Sequence, residues 1–133
     1  MTTPLSWFET FVTAVRTNDT TLGRQLFADD AVGFGTLTSR MTDLDALEKL
    51  QWQPTWARVA QWEASDVVVV GDVGDNRVVL TFLWERRNRD GSELRGRGTM
   101  VLDAAPEAPS GWRCRHSHFS ESPTASSTPL ASG

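Results

Sequence analysis

The sequence predicts an α+β domain in which amino-terminal helices pack in the concave face of a curved, mainly antiparallel sheet. Three observations predict it. Apolar residues at three- and four-residue steps are confined to the first half of the chain. Runs of β-branched and aromatic residues with hairpin signals fill the second half, and helices grouped before strands make an α+β rather than an alternating fold. Gly96 and Gly98 fit a bend within one strand, so the sheet can wrap around a helix and enclose a pocket at its open end. With 133 residues the chain buries roughly two thirds of its unfolded surface and needs no disulfide or metal staple.

The elements follow in order. Leu5, Phe8, Phe11, Val12 and Val15 form an apolar stripe, and Ser6 with Glu9 has capping-box spacing, which predicts a helix over about 5–18. Asp19 or Thr20 can cap a second short helix carrying Leu22, Leu26 and Phe27. Asp29 and Asp30 then end that helix or turn the chain, and Gly33-Phe34-Gly35 suggests a short strand. Thr42 with Asp45 repeats the capping signal for a third helix with Leu44, Leu47 and Leu50, which Pro54 stops or restarts. Strands are expected at 62–70, 77–89, 92–102 and 112–120. A turn-rich sextet at 71–76 and Asp90-Gly91 provide the first two connections. The domain is expected to span 1–121, with 122–133 a disordered tail rich in Ser, Thr, Pro and Ala.

Composition narrows the function. A net charge of −4 argues against a nucleic-acid binder, and no apolar run approaches a membrane span. The lone Cys114 excludes an internal disulfide and makes the cytoplasm the expected compartment. Six Trp, six Phe and no Tyr supply large apolar walls without a phenol to act as acid or oxyanion donor. Arg86, Arg87, Arg89, Arg95 and Arg97 on two strands, with Arg113 and Arg115 on a third, read as a solvated sheet face or subunit interface, or else as a site for an anion.

The most informative stretch is 112–120. Strand alternation puts Trp112, Cys114, His116, His118 and Ser120 on one face, whereas a bulge would turn Phe119 inward instead. The two imidazoles have three readings. They can act as a general acid/base pair with Ser120 as orienter, as ligands of a metal that lacks an assigned third ligand, or as structural side chains bonded to backbone. Glu63 is the carboxylate best placed to serve as a base if its strand is bulged, whereas Glu85 lies on the outward parity. Trp52, Trp56 and Trp84 are expected to wall the cavity, with Phe34, Phe82, Met100, Cys114 and Ser120 as further lining, although aromatic residues at such spacing also serve simply as core.

Leu26-Phe27-Ala28-Asp29-Asp30-Ala31 after two helices, Asp90-Gly91 at a hairpin, Thr99, and the ending Trp112-Arg113…His116-x-His118-x-Ser120 carry a family likeness. Over about 5–120 the chain resembles the nuclear transport factor two-like superfamily, within it the SnoaL-like domains and the calcium/calmodulin-dependent kinase II association domain. The resemblance implies a cone-shaped barrel, a homodimer built through the sheet face, and a cavity used by isomerases, dehydratases, cyclases and epoxide hydrolases, or used without catalysis. No cofactor, no metal, no nucleic acid and no membrane are expected. The partner the resemblance implies is a small apolar, polyketide-, terpenoid- or steroid-like molecule. The chemistry of known members does not carry over. Gly35-Thr36 stands where ketosteroid isomerase-like members have Asp-Pro, and their Tyr has no counterpart in a chain without Tyr. Two functions are therefore expected as alternatives. One is a cofactor-independent acid/base lyase, isomerase or cyclase; the other is a non-catalytic ligand-binding or homodimeric assembly module.

Overall fold

Thr3, rather than the Ser6–Glu9 pair, begins the first helix: its hydroxyl accepts from the Ser6 backbone N–H at 3.0 Å and leaves Pro4 at the first helical position, where a missing N–H costs nothing. In this computed structural model, which describes residues 3–72 and 76–122, α1 runs Pro4–Arg16 and α2 Thr20–Gln25. Asp19 caps α2 by accepting from Leu22 N–H at 3.0 Å. Asp29 and Asp30 do not end that helix. They lie exposed within β1 (Phe27–Phe34), where the chain has already become extended.

Asp43, not Thr42, caps the next helical segment, accepting from Ala46 N–H at 2.8 Å. That segment runs without a break as α3 (Leu44–Leu47), a π-helical stretch (Glu48–Trp52) and α4 (Gln53–Trp56). Pro54 explains the irregularity. A proline inside a helix offers no N–H and its ring crowds the carbonyl four residues back, so the turn before it widens instead of ending.

Four strands follow: β2 (Val59–Asp72), β3 (Arg77–Asn88), β4 (Glu93–Ala104) and β5 (Trp112–Glu121). The sheet order is β1-β5-β4-β3-β2; all neighbours are antiparallel except β1 and β5, and the sheet stays open. The β3–β4 hairpin pairs without a slip from Arg77 opposite Asp103 to Arg87 opposite Glu93. At its turn Gly91 holds φ 88°, a left-handed conformation suited to glycine, while the Asp90 carboxylate accepts from Ser92 N–H at 2.9 Å. Gly96 and Gly98 serve close approach as well as bending, because the rings of Trp84 and Phe82 lie where a β-carbon would stand. Of the turn expected at 71–76, Gly71 and Asp72 still belong to β2 and 73–75 lie outside the described residues, as does the expected tail beyond Ser122.

One face of α1, formed by Trp7, Phe8, Phe11, Ala14 and Val15, is buried against the concave side of the sheet. Phe8 meets Phe82 with ring centroids 4.7 Å apart, and Phe11 lies among Phe27, Trp56, Trp62 and Phe119. Val78, Leu80, Phe82 and Trp84 of β3 and Met100 and Leu102 of β4 point inward as their alternation predicts, each burial contributing about 1.5–3 kcal/mol.

The last strand departs from simple alternation. Leu102 pairs with Cys114 but Val101 pairs with His116, so Arg115 is an extra residue, a β-bulge. The single-face expectation for 112–120 is thereby corrected. Cys114 is fully buried, whereas beyond the bulge Ser117 and Phe119 turn inward and His116 and His118 turn outward. The balance of terms explains the outcome. Phe119 packs on Phe82 at 5.5 Å and on Phe11 at 6.2 Å, and burying such a ring is favourable by roughly 1.5–3 kcal/mol, while an unpaired imidazole in its place would cost a similar amount. Arg115 makes the bulge tenable on the outside, pairing with Asp103 at 2.8 Å and Asp30 at 3.2 Å.

Candidate functional site

The interior of the cone narrows to a cavity of about 40 Å³ beneath the π-helical stretch. Its roof is formed by Gln51, Trp52, Thr55 and Trp56; its floor by Trp62, Trp84, Arg86, Ser117 and Phe119; its inner wall by Phe11 and Val15 of α1. Trp52 and Trp56 stack with centroids 4.8 Å apart, one helical turn from each other, and Phe27 closes on Trp52 edge-on at 4.9 Å. Gln51 holds the roof to the loop after β1. Its carbonyl accepts from Leu37 N–H at 3.2 Å, and its amide donates to Thr36 Oγ1 at 3.1 Å and Thr55 Oγ1 at 3.4 Å.

Arg86 is the unexpected member of this site. It is only 9% exposed, its Nε has no hydrogen-bond partner among the described residues, and its guanidinium sits 5.8 Å from the Trp84 ring. Burial lowers its pKa below the ordinary arginine value, and the like charge of Arg58 adds to this while Glu121 partly offsets it. In the sequence Arg86 belongs to a run that reads as a solvated face or subunit interface, or else as a site for an anion, yet its parity sets it apart. It continues the inward series Val78, Leu80, Phe82, Trp84. Asn88, the next in that series, is also buried, with an Oδ1 that has no partner among the described residues and an amide donating to Ser92 Oγ at 3.0 Å.

The residues named from the sequence divide into three groups. Trp52, Trp56 and Trp84 line the cavity as expected, and Phe34 borders it. Phe82, Met100 and Cys114 are buried in solid core instead, packed among apolar neighbours rather than along the cavity wall. His116, His118, Ser120 and Glu63 belong to the outer side of the sheet. His116 Nδ1 lies 2.9 Å from the Val32 carbonyl, an acceptor only, so the proton is on Nδ1 and the ring is tied to β1. Phe34 stands edge-on to both imidazoles at 5.4 Å. His118 is exposed and shares an open groove of about 270 Å³ with Arg97, Gly98, Thr99 and Ser120. Glu63 is exposed opposite Glu85 and borders a wide charged groove of about 580 Å³.

Burial pushes the Cys114 thiol far above its ordinary range, and its S–H donates to the His116 carbonyl at 3.2 Å. It is an inert filler at the bulge. Among the described residues no three His, Cys, Asp or Glu side chains gather as a metal site requires. Among the described residues lining the cavity, Arg86 alone carries an ionisable group; the rest are apolar, aromatic or neutral polar. Such a lining can shelter and orient a flat apolar molecule, but it offers no base of ordinary strength for proton abstraction.

Similarity to known proteins agrees with this architecture. A nuclear transport factor 2 (NTF2-like) superfamily protein from Salmonella enterica superposes with a TM-score of 0.72 at 19% identity, covering 92% of this chain and 91% of that one. A candidate calcium/calmodulin-dependent protein kinase II association domain from Xanthomonas campestris gives 0.68 at 16% identity, over 91% and 86% of the two chains. A candidate ketosteroid isomerase from Shewanella frigidimarina gives 0.71 at 13% identity, over 86% and 91%. At these identities the likeness concerns the fold. No curated protein matches the sequence. No helix among the described residues is long and apolar enough to cross a membrane. The model of the SnoaL-like domain matches residues 5–125, nearly the whole of the cone and its helical roof, and the chain belongs to that family.

Proposed function

We propose that this chain is a small-molecule-binding SnoaL-like protein that holds a flat, apolar ligand between the indole rings of its cone interior and does so without acid/base catalysis. The observation that carries this reading is the make-up of the cavity wall: four tryptophans and neutral polar groups, with both imidazoles and Glu63 on the far side of the sheet. A cavity of about 40 Å³ accommodates little more than water. Benzene is held by a cavity of about 150 Å³, so a ligand must lift the roof. The π-helical stretch suits that movement, since its widened turn is a weak point of the helix and Gln51 latches it through hydrogen bonds that can be exchanged. A homodimer through the outer sheet face and a cytoplasmic location belong to the same reading. Supporting them are exposed Leu83, Val68 and Val70 on that face and a buried, unreactive thiol.

Indole, naphthalene and toluene titrated against the protein test the reading through tryptophan fluorescence. The expected result is a saturable change for at least one of them, the same in wild type and His118→Ala. If no probe gives saturation, or if His118→Ala abolishes it, the interior is not the binding site. One observation favours a second reading, catalysis of lyase, isomerase or cyclase type. His118, Thr99 and Ser120 share the open outer groove, where an exposed imidazole beside two hydroxyls has the groups that proton transfer needs. Under that reading His118→Ala abolishes turnover of an apolar substrate while leaving the fold and dimer intact.

A further inference from the structure

We infer that the ligand of the cone interior carries a carboxylate, and that the buried Arg86 guanidinium is its receptor. This rests on the reading of the interior as a ligand site and names the class of molecule it selects.

A charge removed from water is normally paired, because leaving it alone forfeits its hydration without return. Arg86 is nine-tenths buried, yet among the described residues no carboxylate stands within ion-pair distance of it. Its surroundings are the Trp84 ring, with Trp62 directly across on β2, and the neutral Gln51 and Ser117 elsewhere in the cavity wall; the charges of Arg58 and Glu121 act on it with opposite sign and neither pairs with it. The nearby ring face offsets only part of the missing solvation. The interior therefore keeps one net positive charge against an otherwise apolar and neutral wall.

The unmet Nε–H points to one chemistry. Guanidinium presents a planar fork of N–H groups whose spacing fits the two oxygens of a carboxylate, and the Nε left without a partner belongs to that fork. The other arginines of the sheet are differently placed. Arg87 pairs with Glu93 at 2.8 Å, Arg77 with Asp103 at 2.6 Å and Arg115 with Asp103 and Asp30, all at the surface. Arg86 borders both the inner cavity and the charged groove outside it. A ligand would lay its ring among the indoles and present its acid group at that boundary. An aromatic or arylalkyl carboxylic acid has this form.

Matched acid and amide pairs separate the charge from the shape. Benzoate and benzamide, phenylacetate and phenylacetamide, and naphthoate and naphthamide are titrated at neutral pH by calorimetry and tryptophan fluorescence. At least one carboxylate is expected to bind about tenfold or more tightly than its amide. In Arg86→Met that preference falls to within about twofold while amide affinity is retained, since only the charge-assisted bonds are lost. Arg86→Lys keeps the charge without the fork and keeps part of the preference. Arg97→Gln, on the outer face, leaves it unchanged. Equal affinity for acid and amide in every pair overturns the carboxylate assignment and leaves the binding reading standing, as does a preference that survives Arg86→Met. Failure of all six probes to bind removes both.

Discussion

A single residue, Arg115, decides which side chains of the last strand meet the interior. Without it Cys114 and the two imidazoles would share a face; with it Cys114 stays inside and His116 and His118 turn out. The thiol left inside is fully buried, and burial holds it protonated well above the ordinary range of a cysteine. Cys114 is therefore expected to resist iodoacetamide in the native protein at mildly alkaline pH and to react only once the chain unfolds. Mass spectrometry of the native and urea-unfolded protein after a short labelling pulse checks this, and rapid native labelling would mean that the bulge opens readily. Arg86 makes the converse point, since a charged side chain here occupies an inward position that strand parity alone would have assigned to an apolar residue.

Between elements, charge ties neighbouring strands together on the outer face of the sheet. Asp103 on β4 accepts from Arg77 of β3 and from Arg115 of β5, and these guanidinium groups hold its carboxyl below the usual range against an opposing contribution from partial burial. A carboxyl whose pKa is depressed on folding adds stability above its unfolded value of about 4 and loses that contribution as pH falls through the folded value. Asp103→Asn is expected to cost about 1 kcal/mol at neutral pH, a modest figure because the group remains partly in water, and to cost progressively less as pH falls through the folded value. Urea unfolding of both proteins across acid and neutral pH reads the difference. A pH-independent gap would mean that Asp103 acts through shape and not through charge. The roof element follows a different rule. Its π-helical stretch comes from Pro54, and that local defect brings Gln51 and Trp52 over the cavity.

For the whole molecule, the helices cover only the concave side, so the other side of the sheet is left to solvent or to a second copy. Leu83 is 46% exposed there, between Ser65 on β2 and Arg97 on β4, with Val68 and Val70 further along. If two copies join through this side, light scattering coupled to size exclusion finds a dimer at micromolar concentration. Leu83→Arg then lowers the dimer's stability by about 2 kcal/mol or more by placing a charge in an apolar contact. A monomer in wild type, or a dimer indifferent to Leu83→Arg, argues for another face.

The sequence by itself determined the class of fold, the helix faces, the inward series on β3 and β4 and the aromatic wall, because these follow from the two repeat lengths of regular backbone and from the gain in burying apolar rings. Cap residues shifted by one to three positions, since Thr3 and Asp43 compete with neighbours of nearly equal capping strength. The side of the sheet that carries His116 and His118 was decided only in three dimensions. A bulge leaves no mark of its own in composition, and the contest between Phe119 and the imidazoles for the interior is settled by partners on other elements. The isolation of Arg86 was decided there too, because whether a buried charge has a counter-ion depends on which distant carboxylates reach it, and here none among the described residues does.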